Sequence, residues 1–326
     1  MMMTQKEIIE ALKSRGSADL FRRAAGVRDR SCGKDVYLRG IIEFSSHCCR
    51  NCLYCGLRRD NRSLTRYRMR PGEILSAVEG IFAQKIRTVI LQSGDDPAYS
   101  RQLLSWIVTG IKKRFPEMAV TLSVGERPND DYRAFRDVGV DRYLLKIETT
   151  NSGLYERLHP GQSLPRRLEI LDFLKRLGYQ TGTGSIVGLP GQTPGDLAAD
   201  ILYFGSFRPE MAGIGPFVPQ KDTPFGACPA GNGRLTLKAV ALARIVSPDT
   251  LLPVTTSLAT VAGMNVQAAA LRAGANVIMV NFTPPVYRKE YRIYDGKVQF
   301  DLPAALASIR AAGLHVSFER GDAKMQ

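Results

Sequence analysis

Eight short β-rich runs, each followed by an amphipathic stretch, set the pattern of this chain. The runs cover residues 37–44, 88–92, 119–124, 142–147, 182–189, 211–218, 251–256 and 276–281. Helical patterns follow at 71–84, 100–114, 130–138, 164–177, 193–204, 236–246, 261–273 and 303–312. Pro71 and Pro303 suit a first helical turn, while Ser100, Thr193 and Thr236 can cap one. Gly178, Gly274 and Gly313 suit helix ends. Strands alternating with helices predict βαβ units and a parallel sheet. Eight such units in roughly 280 residues match a complete (β/α)8 barrel of the TIM type, which needs about 250. A doubly wound open sheet is the other α/β arrangement that this rhythm allows. Before the first run, Thr4 can cap a helix that carries Ile8, Ile9 and Leu12 at helical spacing. The expected organisation is an N-terminal helical extension (1–36), the barrel (37–315) and a C-terminal tail (316–326).

A chain of 326 residues with 44% hydrophobic and 23% charged residues is too apolar to be disordered. Four of its six cysteines, Cys48, Cys49, Cys52 and Cys55, fall within eight residues. A disulfide framework spreads its cysteines along a small secreted chain, so this crowding points to a metal site in a reducing compartment. The first residues carry charges and no continuous apolar run, and no stretch of about 18 apolar residues occurs. The expected location is cytoplasmic, with no membrane span. A net charge of +14 raises the question of a nucleic-acid partner. The basic residues read as dispersed pairs such as Arg22-Arg23 and Arg166-Arg167, and no RNA-binding module is visible. A solvated basic surface is the expectation, with a tRNA-modifying enzyme kept as an alternative.

A barrel places its chemistry in the loops after the strands. Here those loops are rich in Gly, Asp, Glu and Arg: residues 93–97, 125–128, 148–151 and 190–193. The cysteines follow the first run. Cys48, Cys52 and Cys55 form C-x3-C-x2-C, and three thiolates on one short loop can hold three irons of a 4Fe–4S cube, leaving the fourth iron open. Iron–sulfur clusters otherwise take four cysteines. Cys49, Cys52 and Cys55 can instead be read as a ferredoxin-like run, but the Cys-Pro that such a run needs is missing. Zinc is the third reading, and with only three histidines in the chain it lacks the usual ligand pairs. Tyr54 stands between the last two cysteines, where an aromatic ring can lie against an adenine.

C-x3-C-x2-C with an aromatic before the last cysteine, after the first strand of a βα barrel, resembles the radical S-adenosylmethionine (SAM) superfamily. Residues 40–45, 51–61, 91–97, 122–128, 142–149, 187–193, 213–217 and 274–279 resemble, in order, the HydE family of FeFe-hydrogenase maturases. That family belongs to the group containing biotin synthase and methylornithine synthase. The resemblance implies one 4Fe–4S cluster on Cys48, Cys52 and Cys55, and SAM cleaved to methionine and a 5′-deoxyadenosyl radical. The radical would act on a small molecule or iron complex inside the barrel, in assembly of the di-iron centre. It implies an electron donor such as flavodoxin or ferredoxin, and other maturases as partners. A methylornithine synthase-like mutase is the alternative within the group.

Family positions place SAM against Tyr54, Asp95, Ser123, Glu148 and Arg167. A guanidinium at Arg167 can hold the SAM carboxylate bidentately, unless it is a solvated helix arginine. Glu148 can accept from ribose or amine, unless it pairs with Lys146. Asp95 replaces a glutamate usual in the family and is one methylene shorter, so its contact is expected to pass to backbone groups or to Asp96. For the substrate, the later loops offer Thr255, Thr256, Tyr287, Arg288 and Tyr291, with Tyr294 nearby. Some family members carry three further C-terminal cysteines for an auxiliary cluster, whereas no cysteine follows Cys228 here, so a single cluster is expected.

Overall fold

The structure is a computed structural model that describes residues 3–323. Residues 1 and 2 of the expected extension and 324–326 of the expected tail lie outside the described residues. Two helices come first, α1 (Gln5–Lys13) and α2 (Ala18–Ser31). Eight parallel strands follow: β1 (Asp35–Ser45), β2 (Thr88–Ser93), β3 (Ala119–Ser123), β4 (Arg142–Leu144), β5 (Gln180–Val187), β6 (Met211–Pro216), β7 (Pro253–Val254) and β8 (Val277–Asn281). The helices between them are α3 (Pro71–Ala83), α4 (Arg101–Arg114), α5 (Asn129–Asp137), α6 (Ser152–Leu158), α7 (Leu164–Arg176), α8 (Pro194–Phe207), α9 (Gly233–Val246), α10 (Thr256–Ala262) and α11 (Val266–Arg272). After β8 come α12 (Pro285–Arg288), α13 (Leu302–Ala312) and a short β9 (His315–Ser317).

The strand order β6-β5-β4-β3-β2-β1-β8-β7 runs in sequence around a ring. A parallel bridge between Met211 and Leu251 joins its ends, with Ala212 donating to the Leu251 carbonyl at 3.0 Å. This is the closed (β/α)8 barrel that the alternation predicts. The seam is thin because Pro253 has no N–H to give the ladder. Asn276 compensates: its side-chain oxygen accepts from the Leu252 N–H at 2.9 Å and from Arg244 at 3.1 Å.

Helix chemistry follows the sequence at most ends. Thr4 and Thr193 close capping boxes, and Ser100 accepts from the Leu103 N–H. Gly178, Gly274 and Gly313 follow their helices with φ of +78°, +106° and +72°. Two readings change. Thr236 is not a cap, since Asn232 caps α9 and the Thr236 hydroxyl bonds back to the Asn232 carbonyl at 2.9 Å. The helix expected over 261–273 is two helices, α10 and α11, because the chain turns at Gly263 with φ +80°. Lys238 on α9 donates to the Ala11 and Leu12 carbonyls at 3.0 Å, placing a cation at the C-terminus of α1.

The N-terminal end of the barrel is closed by residues 315–322. β9 pairs with β1. Beyond it the chain passes under two buried arginines of the lumen, Arg39 and Arg142. Arg142 is fully buried and donates to the Thr88 hydroxyl at 3.1 Å, the Arg320 carbonyl at 2.8 Å and the Asp322 carboxylate at 2.7 Å. Arg39 donates to the Gly321 carbonyl at 3.2 Å.

Asp322→Ala leaves the Arg142 charge buried without its carboxylate, and removing one partner of such a pair costs about 3 kcal/mol. The neighbouring guanidiniums hold the Asp322 carboxyl down at about 2, against burial that acts the other way. Its folded value lies below its unfolded one, so this stabilisation is present above pH ~4 and lost toward pH 2. Urea denaturation of the metal-free protein should show a deficit of that size for the variant at neutral pH. The deficit should shrink as pH falls from about 4 to about 2.

Candidate active site

The loop from Ser46 to Arg58 turns back across the C-terminal mouth of the barrel, and one side chain holds it. Arg66 donates to the Ser46 carbonyl at 2.6 Å, the Leu57 carbonyl at 3.1 Å and the Arg58 carbonyl at 2.7 Å. Asn61 donates to the Gly56 carbonyl at 2.8 Å, and the Gly56 N–H to the Ile293 carbonyl at 2.8 Å. A Cβ on Gly56 would stand 2.0 Å from the Arg292 oxygen, and one on Gly94 would stand 2.4 Å from the His47 oxygen. Only glycine lets these backbones meet.

Held this way, Cys48, Cys52 and Cys55 line one wall of a cavity of about 340 Å³. Cys49 is exposed and is not on that wall. Burial pushes the thiols of Cys48 and Cys52 up to about 12 and about 11, and that of Cys55 further. Metal-free, they are protonated, so loading metal must displace protons. Among the described residues no three His, Cys, Asp or Glu side chains converge as a single ion requires.

A chain of buried charges crosses the mouth behind the thiols. Asp95, after β2, accepts from Arg50 at 2.5 Å. Arg50 also reaches Glu126, after β3, at 3.4 Å. Glu126 accepts from Arg167 of α7 at 2.6 Å. Arg167 donates further to the Lys146 carbonyl at 2.5 Å and to Gln162 at 3.0 Å, and Gln162 donates to the Cys52 sulfur at 3.5 Å. Arg167 is therefore buried and not a solvated helix arginine. Three of its five N–H donors are engaged, which leaves two. Burial pushes the Asp95 carboxyl up, with Arg50 opposing. Asp95 packs so closely on Gly125 (φ +75°) that a Cβ there would overlap its carboxylate. Asp96 does not take over for it. Its carboxylate is committed to Arg68 at 2.7 and 3.0 Å, the Ser45 hydroxyl at 2.6 Å and the Ala98 N–H, away from the cavity.

Glu148, after β4, adopts a left-handed backbone with φ +62°, a strained geometry for a side chain of this size. Its backbone bonds on both sides to β5, the N–H to the Gly184 carbonyl and the carbonyl to the Ile186 N–H, each at 3.0 Å. Buried Asp200 fastens the next two residues, accepting from the Thr150 N–H at 2.6 Å and from the Thr150 and Thr149 hydroxyls. Glu148 faces the cavity with one oxygen 2.9 Å from the Lys146 ammonium. The Lys146 pairing is therefore present, and Glu148 lines the cavity at the same time.

Tyr54 lines the cavity with an apolar group of Leu154, Leu158, Leu189 and Phe217 around it. Its hydroxyl is 3.0 Å from His159 Nε2. His159 Nδ1 lies 2.8 Å from the Tyr155 carbonyl, which can only accept. Nδ1 therefore carries the proton, and Nε2 accepts from Tyr54. Ser123 also lines the cavity, at the end of β3.

Of the five candidate substrate residues, only Thr255 lines the cavity. Thr256 bonds the Tyr294 hydroxyl at 2.6 Å. Tyr287 donates to Glu73 at 2.9 Å and stacks on Tyr67. Arg288 spends its donors on the Thr283 and Asn281 carbonyls. Tyr291 is buried outside the lining, its hydroxyl 3.3 Å from Gln92. Lys146, Ser257, Ile293 and Tyr294 stand on the wall instead. Sequence reasoning also missed Arg50, Glu126, His159 and Gln162. The run His159-Pro160-Gly161-Gln162 offered a polar loop as a signal, but it follows α6, which was not recognised.

Residues 42–203 match the family model described as the Radical SAM superfamily. The "[FeFe] hydrogenase maturase subunit HydE" of Thermotoga maritima is 45% identical over 313 residues, covering 91% of this chain and 89% of the relative. The "3-methylornithine synthase" of Methanosarcina acetivorans is 27% identical over 260 residues, covering 79% and 73%. The crystal structure of methylornithine synthase (PylB) superposes with a TM-score of 0.86 at 24% identity, covering 97% of this chain and 95% of that one.

Burial pulls the His159 imidazole down from 6.5 to about 4. The unfolded chain takes the proton first, so this residue destabilises the fold progressively as pH falls from 6.5 to about 4. In the metal-free protein, the ¹⁵N shifts of His159 should stay those of the Nδ1–H tautomer from pH 8 to 5 and turn over near 4. A midpoint near 6.5 would overturn the assignment.

Proposed function

The chain belongs to the radical SAM superfamily and, within it, to the family of the [FeFe] hydrogenase maturase HydE, and on that footing we propose that it cleaves SAM reductively and acts on a small molecule or iron complex in assembly of the FeFe-hydrogenase di-iron centre. The observation that carries this reading is the meeting of three C-x3-C-x2-C thiols with Asp95, Ser123, Glu148 and Arg167 on the walls of one cavity.

Radical SAM membership implies a 4Fe–4S cluster and SAM, and the donor set fits them: three buried thiols on one wall, with charged and apolar groups on the others. Cys48, Cys52 and Cys55 would hold the cluster, with its fourth iron left for the amino and carboxylate groups of SAM. When bound and reduced, the cluster supplies the electron that splits SAM into methionine and a 5′-deoxyadenosyl radical. The protein's own part is to orient and to exclude water. Arg167 offers its two remaining N–H donors to the carboxylate. Glu148, fixed by β5 and Asp200, accepts from the amine or ribose. Tyr54, with its hydroxyl turned to His159, leaves its ring with Ile186, Phe217 and Val218 of the cavity lining for the adenine. Lys146, Thr255, Ser257 and Tyr294 remain for an anionic or amino-acid-like substrate. That chemistry also suits an amino-acid mutase like the methylornithine synthases, and the experiments below separate the two.

Reconstituted protein should hold about four irons per chain, and about eight would overturn the single-cluster reading. With dithionite it should release 5′-deoxyadenosine. Cys48→Ala, Cys52→Ala and Cys55→Ala should each abolish this, and Cys49→Ala should retain it. Arg167→Ala removes a charge-assisted pair worth about 1.5–3 kcal/mol, so its Kd for SAM should rise roughly 10- to 100-fold in equilibrium dialysis. In vitro maturation of apo-hydrogenase, with this protein in place of HydE, tests the substrate. Failure there with SAM cleavage intact would point to another substrate.

A further inference from the structure

Two loops of the barrel mouth concentrate the chain's positive charge. Residues 50–70 hold seven arginines and one aspartate, and residues 282–292 hold Arg288, Lys289 and Arg292 against Glu290. These segments hold ten cations and two carboxylates of their own, and three of the cations, Arg50, Arg68 and Arg70, pair with Asp95, Asp96 and Glu73 from elsewhere in the chain, which leaves a smaller positive excess. The charge that reads as dispersed along the sequence is collected by the fold. The loops lie against each other: Tyr67 and Tyr287 stack with ring centres 4.9 Å apart, and Gly56 bonds to Ile293.

On the outer side Arg59, Arg62, Arg68, Arg70 and Lys289 are exposed. Arg62 and Lys289 have no carboxylate within 4.0 Å among the described residues. Beside the stacked tyrosines, Pro285 is exposed and Val286 is 62% exposed, one of the few large apolar side chains so placed. An apolar spot set among arginines is the composition of a protein-docking surface. Its inner side is the cysteine loop. The Arg58 N–H bonds the Cys55 carbonyl at 3.0 Å, and the Arg59 N–H bonds the Arg50 carbonyl at 2.7 Å.

We propose that this face docks an acidic one-electron carrier protein of the flavodoxin or ferredoxin class, which feeds the site behind the cysteine loop. The proposal rests on the functional reading above. The balance is one electron per turnover. The carrier is oxidised by one electron, and the C5′–S bond of SAM breaks to give methionine and the 5′-deoxyadenosyl radical, which then takes a hydrogen atom. Charge complementarity selects an acidic partner and speeds its encounter. The position over the thiols selects an electron carrier over a nucleic acid.

The test compares reductants on the reconstituted holoenzyme. Arg62→Glu, Lys289→Glu and Val286→Asp lie outside the cavity, so dithionite-driven SAM cleavage should stay within about twofold of wild type. With photoreduced flavodoxin, the KM for flavodoxin should rise about tenfold with kcat little changed, and added salt should raise the wild-type KM likewise. Equal loss with both reductants, or no loss with flavodoxin, would overturn the proposal. So would variants that keep the flavodoxin-driven rate but lose binding to tRNA in a shift assay, which would assign the face to nucleic acid. If wild type cleaves SAM with neither reductant, the functional reading fails by itself. Calorimetric titration of flavodoxin against wild type and Arg62→Glu then still reads the surface.

Discussion

The site depends on a buried chain of alternating charge. Asp95, Arg50, Glu126 and Arg167 come from four different segments around the barrel mouth, and each lies within a few ångströms of the next. Two carboxylates and two guanidiniums sum to zero, so the cluster costs far less than isolated charges would in so poorly solvated a place. Losing Arg50 leaves Asp95 without its cation, and losing Glu126 leaves Arg167 without its carboxylate, which makes the set cooperative. The chain also fixes what it touches. Arg50 lies two residues from Cys48 and Cys52, and Arg167 reaches Cys52 through Gln162. The cysteine loop is therefore registered against β2, β3 and α7 by the groups that stand ready for a ligand.

Buried arginines serve both ends of the lumen, with opposite results. At the N-terminal end Arg142 meets acceptors from Thr88, Gln180, Arg320 and Asp322, which take four of its five N–H groups. At the C-terminal end Arg167 is held through only part of its donor set. Donors met by the protein's own acceptors stabilise the fold, whereas Arg167 keeps two N–H groups free beside a cavity of ~340 Å³. The difference is set by supply. Residues 315–323 fold back under the barrel, and among the described residues no comparable segment covers the mouth.

Much of this was legible in sequence. The barrel follows from the period of apolar runs and from glycines at helix ends, which act locally. The three thiols and Glu148 were visible because their motif is contiguous or sits next to a strand end, whereas Arg167, inside α7, was singled out through the family resemblance. Residues whose role comes from pairing across the barrel were not. Arg50 looks like any loop arginine until Asp95 and Glu126 are brought to it. His159 and Gln162 were hidden behind α6, seven residues too short to carry a periodic signal. Tyr287 and Arg288 failed in the opposite direction. They do follow β8, but the loop turns outward, where Tyr287 stacks on Tyr67 and Arg288 closes its own turn.

The split between a neutral interior and a basic rim bears on what the rim is for. SAM carries a sulfonium, an ammonium and a carboxylate, a net single positive charge at neutral pH. A field that collects anions does nothing to draw it in. The ion chain at the mouth is balanced with Arg50 included, and Arg68 and Arg70 pair with Asp96 and Glu73, so the positive charges left on the two mouth loops lie outside that chain. They also repel one another at a cost to the fold, and Arg66 and Arg288 offset part of that by bonding backbone carbonyls. Arg62 and Lys289 have no such partner among the described residues. Charges that help neither the fold nor the small ligand are explained by something larger and acidic that meets the protein at this mouth.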